Sequence, residues 1–166
     1  MNQEWTEFKV KGIVVDSKAS NPVVVLVDLT GQKALPIWIG VFEAEAISRG
    51  IEEVVTLRPM THDLMKQILD TFQVALLRVV IHDLRENTFY AHLYIKVEEE
   101  EVVVDSRPSD AIALAVRAKA PIFVAQPVLE AAQNLGLFAS NVLDDQDELQ
   151  TIIEGMKPED FGKYKM

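Results

Sequence analysis

The chain has no cysteine in its 166 residues. That excludes disulfide staples, thiolate nucleophiles, cysteine-ligated zinc and iron–sulfur clusters. It also has no apolar run near the roughly 18 residues that a membrane-spanning helix needs. Basic residues are in deficit: 16 Lys and Arg stand against 26 Asp and Glu, a net charge of −10. The basic residues are scattered, and no window has the density of a phosphate-tracking patch, which argues against tight electrostatic binding of nucleic acid. An approach to a phosphate backbone through bound metal ions stays open. Nucleophile elbow, P-loop and dinucleotide fingerprints are all missing. The N-terminus, Met1–Glu7, is polar and acidic, unlike a signal or transit peptide, and the reading is a cytoplasmic protein without membrane attachment.

What remains is the composition of an ordinary globular chain, 49% apolar and 25% charged. Its length suits one domain, and no low-complexity linker divides it. Phe8–Val15, the β-branched run Val23–Leu29 and Lys33–Ile39, joined by short turns, predict an antiparallel meander. Val23–Leu29 should be buried on both faces. Short helices are expected at Phe42–Arg49, Thr61–Phe72, Pro108–Lys119, Pro127–Asn134 and Asp145–Glu154. In the second of these, Leu64, Met65, Ile68, Leu69 and Phe72 form one apolar stripe, with Asp63, Lys66, Gln67 and Asp70 opposite. Val74–His82 and Thr88–Val97 suggest a hairpin, followed by a strand over Glu101–Asp105 and a short one at Pro121–Val124. The fold class is therefore α+β: one domain over 1–166, with a mixed, mostly antiparallel sheet packed by several short helices. The core should cover about 8–128, with a helical tail over about 129–166.

Three segments concentrate polar residues where a strand hands over to a helix. In Arg58–Leu64, Thr61 suits an N-cap and Asp63 the first turn, but capping explains neither Arg58 nor His62. An anion site at the helix start would use both. In Asp105–Asp110, Ser109 and Pro108 suit a helix start, whereas Asp105, Arg107 and Asp110 exceed what a cap requires. Two carboxylates there could hold a hard divalent cation. They could equally pair with Arg107, and Arg117 lies two helical turns beyond Asp110. In the third, Gly40 allows a sharp turn and Glu43 falls in the first helical turn, from which it could join the aspartates as a ligand. His82 and His92 read as partly exposed sheet residues. A weak echo between Glu53–Pro59 and Glu101–Pro108 suggests either a duplicated unit or reused helix-start chemistry.

These ordered segments, Leu35–Gly40 with Glu43-Ala44, Arg58–Leu64 and Asp105–Ala115, resemble the bifunctional nuclease (BFN) domain family. The tail with Lys157–Gly162 also looks like that of bacterial members. Glu43, Arg58, Thr61, His62, Asp63, Asp105, Arg107, Ser109 and Asp110 occupy the family's polar motif positions. The resemblance implies an α+β domain that hydrolyses DNA and RNA. On that reading Glu43, Asp105 and Asp110 would hold Mg²⁺ or Mn²⁺, His62 with Asp63 would serve acid–base chemistry, and Arg58 and Arg107 would stabilise phosphate charge. The rival is a non-catalytic regulatory or ligand-binding module, favoured by the acidic charge. A homodimer is also expected, because Pro108–Lys119 and Val23–Leu29 are apolar on more sides than one small domain readily covers.

Overall fold

In a computed structural model, residues 4–15, 21–137 and, for the backbone, 139–140 are described. The expected helix at Asp145–Glu154, the Lys157–Gly162 tail and most of the turn after Val15 lie outside these residues. The described elements run β1 (Trp5–Val15), β2 (Pro22–Asp28), β3 (Lys33–Trp38), α1 (Val41–Ile51), α2 (Thr61–Thr71), β4 (Ala75–Arg85), β5 (Thr88–Val97), β6 (Glu100–Ser106), α3 (Pro108–Ala118), β7 (Ile122–Ala125), α4 (Gln126–Asn134) and the two-residue β8 (Ala139–Ser140). The strands join one mixed sheet in the order β6-β5-β4-β7-β1-β2-β3-β8. All pairings are antiparallel except β4 with β7. The α+β class is therefore what the chain adopts, and β1–β2–β3 is the expected meander.

Local chemistry explains the boundaries. The β4–β5 hairpin closes through Glu86 and Asn87, both at positive φ, the backbone of a type I′ turn whose twist matches the strands. This lets β4 extend to Arg85, three residues past His82, the expected end. Pro108 opens α3 from the first helical turn, where its missing N–H costs nothing, and Lys119 in left-handed backbone closes it. The echo stops at the helix starts: Glu101–Ser106 is strand, whereas the residues before α2 form an irregular connection.

Val23–Val27 are fully buried, so β2 is covered on both faces as its composition predicts, but the strand ends at Asp28 and Leu29, expected inside, is exposed. Helix α3 packs on α1, α2, β4 and β5, and α4 on β4 and β7. Along the first of these contacts, Ala111–Ala115 share one core with Val79 and Ile81 of β4 and with Ala91 and Leu93 of β5. Val80 and His92, paired across the two strands, therefore look out of the opposite face.

Two packing expectations change. First, α3 and β2 are covered within the chain, so neither leaves apolar surface for a second copy. Second, most of the apolar stripe of α2 faces outward. Leu64 and Ile68 are half exposed and Phe72 is 74% exposed, while His62 is the buried residue of the helix. His62 and Asp63 turn inward because they have charged partners on α3; Leu69 of the stripe still packs against the core, but Leu64, Ile68 and Phe72 are carried to solvent, while Gln67 and Asp70 stay exposed. No helix of the described residues is long and apolar enough to cross a membrane.

Candidate functional site

The starts of α1, α2 and α3 converge on one cleft of about 340 Å³, lined among others by Phe42, Glu43, Thr61, His62, Arg107 and Asp110. Each helix supplies its residue from the first turn or the cap. Gly40 caps α1 with ordinary extended backbone (φ −76°), so its role is not an unusual turn. It is space: a Cβ there would collide with the Glu43 carboxylate, which folds back over the position. At α2 the cap is Met60, and Thr61 is already helical, so Thr61 is not the N-cap that its residue type suggests. Asp63 takes that duty by accepting the Met60 N–H at 3.0 Å. At α3 Arg107 stands at the cap position, and Ser109 is buried with its Oγ lacking a hydrogen-bond partner.

Across the cleft these side chains form a continuous chain. His62 Nε2 lies 3.0 Å from Asp110 Oδ1. Arg107 Nε donates to Asp110 Oδ2 at 2.7 Å, and another guanidinium nitrogen donates to Glu43 Oε1 at 3.2 Å. The hydrogen bond from His62, with the Arg107 guanidinium adding to it, holds the Asp110 carboxyl down at about 2 against the opposing effect of burial. Asp110 is thus an anion over the whole working range of pH and keeps the His62 ring oriented.

A second ion pair braces the first. Arg117, with only 9% of its side chain exposed, donates to Asp63 Oδ1 at 2.5 Å. The other end of its guanidinium donates to the carbonyls of Ala46 (2.9 Å) and Ala113 (2.8 Å). One side chain therefore ties α1, α2 and α3 together. The Asp63 carboxyl is lowered first by Arg117, and its oxygens are held by Arg117 and the Met60 N–H. Asp63 consequently positions α2 and is not presented to a substrate. Gly50 makes room for this arrangement, since a Cβ there would press on Val116 and on the Arg117 guanidinium at 2.6 and 2.7 Å.

Two of the expected site residues lie elsewhere. Arg58 is exposed in the connection before α2 and does not line the cleft. Asp105 pairs with His92 across β5 and β6, which puts it on the sheet face opposite the one that α3 covers. Glu43, Asp105 and Asp110 are therefore not gathered around one point. In the cleft the cation between Glu43 and Asp110 is Arg107, so this donor set does not fit a hard divalent ion held by three carboxylates.

Asp105 instead meets two histidines. His82, His92 and Asp105 can place one ligand atom each within 4.8 Å of one another, a group able to hold a metal ion. The two imidazoles stack face to face with ring centroids 3.6 Å apart. Burial, and then the neighbouring His92, pushes the His82 imidazole below its ordinary value. Both histidines therefore belong to an organised cluster and are more than partly exposed sheet residues. The hairpin around Glu98-Glu99 already places His92 opposite Asp105. Period-two alternation puts His82 on the same face as Val80, the residue paired with His92.

Comparison with known proteins accords with these motifs. The profile of the bifunctional nuclease domain matches residues 24–135, which contain every cleft residue named above. Uncharacterized protein Rv1829 of Mycobacterium tuberculosis is 34% identical over 93% of this chain and 97% of its own length. Bifunctional nuclease 1 of Oryza sativa subsp. japonica is 28% identical over 74% of this chain, and Bifunctional nuclease 2 of the same plant 30% over 69%. The matched parts are 37% and 36% of those two rice proteins. With a domain profile spanning most of its length and a relative aligned nearly end to end, the chain belongs to the bifunctional nuclease domain family.

Proposed function

We propose that this chain is a nuclease that hydrolyses phosphodiester bonds of DNA or RNA in the cleft between α1, α2 and α3. The observation that carries the reading is the chain His62–Asp110–Arg107–Glu43, assembled from three separate elements and facing one cavity. Asp110 occupies His62 Nε2 and leaves Nδ1 as the position that exchanges a proton with water or with a leaving oxygen. Arg107 is half exposed, and a phosphate would compete with Glu43 and Asp110 for its guanidinium, a group whose geometry matches phosphate oxygens. Arg58, exposed before α2 and outside the cleft, would contact the phosphate backbone only beyond the scissile bond. Transient, low-affinity nucleic-acid binding suits a surface with net charge −10. The cysteine-free chain suits a reducing cytoplasm.

The test is degradation of single-stranded DNA and RNA by the purified chain. Activity should fall at least about 100-fold in His62→Ala and in Asp110→Asn. Equal activity in both variants refutes the assignment. EDTA reports separately whether a divalent cation such as Mg²⁺ or Mn²⁺ takes part.

One observation favours the alternative of a non-catalytic binding module: both cleft carboxylates are already paired with Arg107. Saturable binding of a phosphorylated ligand in the cleft, without hydrolysis, would identify it. We further propose that two copies associate through the outward stripe of α2, where Leu64, Ile68 and Phe72 expose apolar surface together.

A further inference from the structure

We propose that His82, His92 and Asp105 form a site for a borderline divalent transition-metal ion, Zn²⁺ by preference, on the sheet face away from the cleft. The three ligands come from three neighbouring strands, β4, β5 and β6. Their ligand atoms lie within 4.8 Å of one another. Tetrahedral zinc with bonds of about 2.0–2.2 Å sets ligand atoms roughly 3.4 Å apart, so the ligand atoms must close by up to about 1.4 Å as the side chains turn. The two imidazoles stack face to face, which puts both on one sheet face, and the rings would turn out of the stack for their in-plane lone pairs to converge on one ion.

The donor set selects the ion. Two imidazoles and one carboxylate suit Zn²⁺ and its neighbours, whereas Mg²⁺ requires oxygen ligands. His82 Nε2 is buried and has no hydrogen-bond partner, which a purely structural histidine in a sheet would ordinarily have. Three protein ligands leave a fourth position for water, the pattern of an open zinc site. Asp105 stands two residues before Arg107, so the metal would anchor the end of β6 from which the cleft arginine departs. The edge strand β6 has most of its residues exposed and is the element that stands to be fixed.

The site does not rest on the hydrolysis reading, and one experiment keeps the two apart. The 166-residue chain, stripped of metal, is titrated with Zn²⁺ by calorimetry and with Co²⁺ by visible absorption. One equivalent of each should bind, and Co²⁺ should show the intense bands of a low-coordinate site. Asp105→Asn and His92→Gln should each weaken Zn²⁺ binding at least about tenfold with unchanged circular dichroism. Asp105 is exposed, so its isosteric replacement leaves the fold intact. His62→Ala should bind Zn²⁺ like the parent chain whatever becomes of its nuclease activity. Absence of saturable binding overturns the proposal, as does binding that both substitutions leave unchanged. Binding lost in His62→Ala and kept in Asp105→Asn also overturns it, by moving the metal to the cleft.

Discussion

Replacing Arg117 with alanine should be among the most destabilising single changes available to this chain. The side chain is 9% exposed and makes hydrogen bonds to Asp63 on α2, to the Ala46 carbonyl on α1 and to the Ala113 carbonyl on its own helix. Removing it leaves the Asp63 carboxylate, itself 29% exposed, facing the helices without its cation. Breaking a buried pair from one side typically costs about 3–5 kcal/mol, because the remaining charge keeps its desolvation penalty. Partial exposure of Asp63 and its bond to the Met60 N–H lower that toward about 3 kcal/mol. For a chain of this size, roughly 2–4 °C per kcal/mol converts this into a fall in Tm of about 6–12 °C. Urea denaturation of the parent, Arg117→Ala, Asp63→Asn and the double variant measures both the loss and the coupling. Arg117→Ala and Asp63→Asn should couple by at least about 1 kcal/mol. A loss under about 1 kcal/mol, or additive single effects, would refute the idea that one guanidinium clamps the three helices. Arg117→Lys should recover only part of the loss, since an ammonium cannot serve a carboxylate and two carbonyls with the same planar fork.

Gly40→Ala should lower nuclease activity with little change in Tm, because the new methyl displaces the mostly buried Glu43 carboxylate from its place over the helix start; parent-like activity would show that Glu43 is dispensable. Asp110, held at about 2 against an ordinary 3.8, stabilises the folded chain fully above about pH 4, and that contribution disappears as pH falls from about 4 toward 2. Acid titration of unfolding should therefore show a limb of about 1–2 kcal/mol in this window, reduced for solvent screening, and Asp110→Asn should flatten it. Ile68→Glu, in the middle of the α2 stripe, should convert the chain to an 18.6 kDa monomer in light scattering if α2 is the dimer contact; a variant that still scatters as a dimer removes α2 from the interface.

The local chemistry of this protein could be read along the chain. Strand β2 is buried on both faces because Val23–Val27 has no polar residue to offer water, and no packing arrangement was needed to see that. Pro108 and the acidic first turns marked the helix starts to within a residue or two. The motif positions marked Glu43, His62, Arg107 and Asp110 at helix starts, although the expected strand before α2 is an irregular connection. What the chain alone left undecided was every question of direction. Helix α2 has an apolar stripe and a charged face, and amphipathicity predicts that the stripe turns inward. Only Leu69 follows that rule; Leu64, Ile68 and Phe72 face solvent, because Asp110 and Arg117 on α3 pair with His62 and Asp63, 48 and 54 residues away in sequence. Asp105 and Asp110 are five residues apart and seem one cluster, yet they part company. Asp105 follows the period-two alternation of β6 to the outer face, and Asp110 follows the first turn of α3 to the inner one. His82 shares the face of Val80, the partner of His92, but that these two strands pair in this register is not marked in hydrophobic periodicity. Propensities and caps act within a few residues and are written in the sequence. Which charges meet is set by how helices and strands pack, and only the tertiary structure decides it.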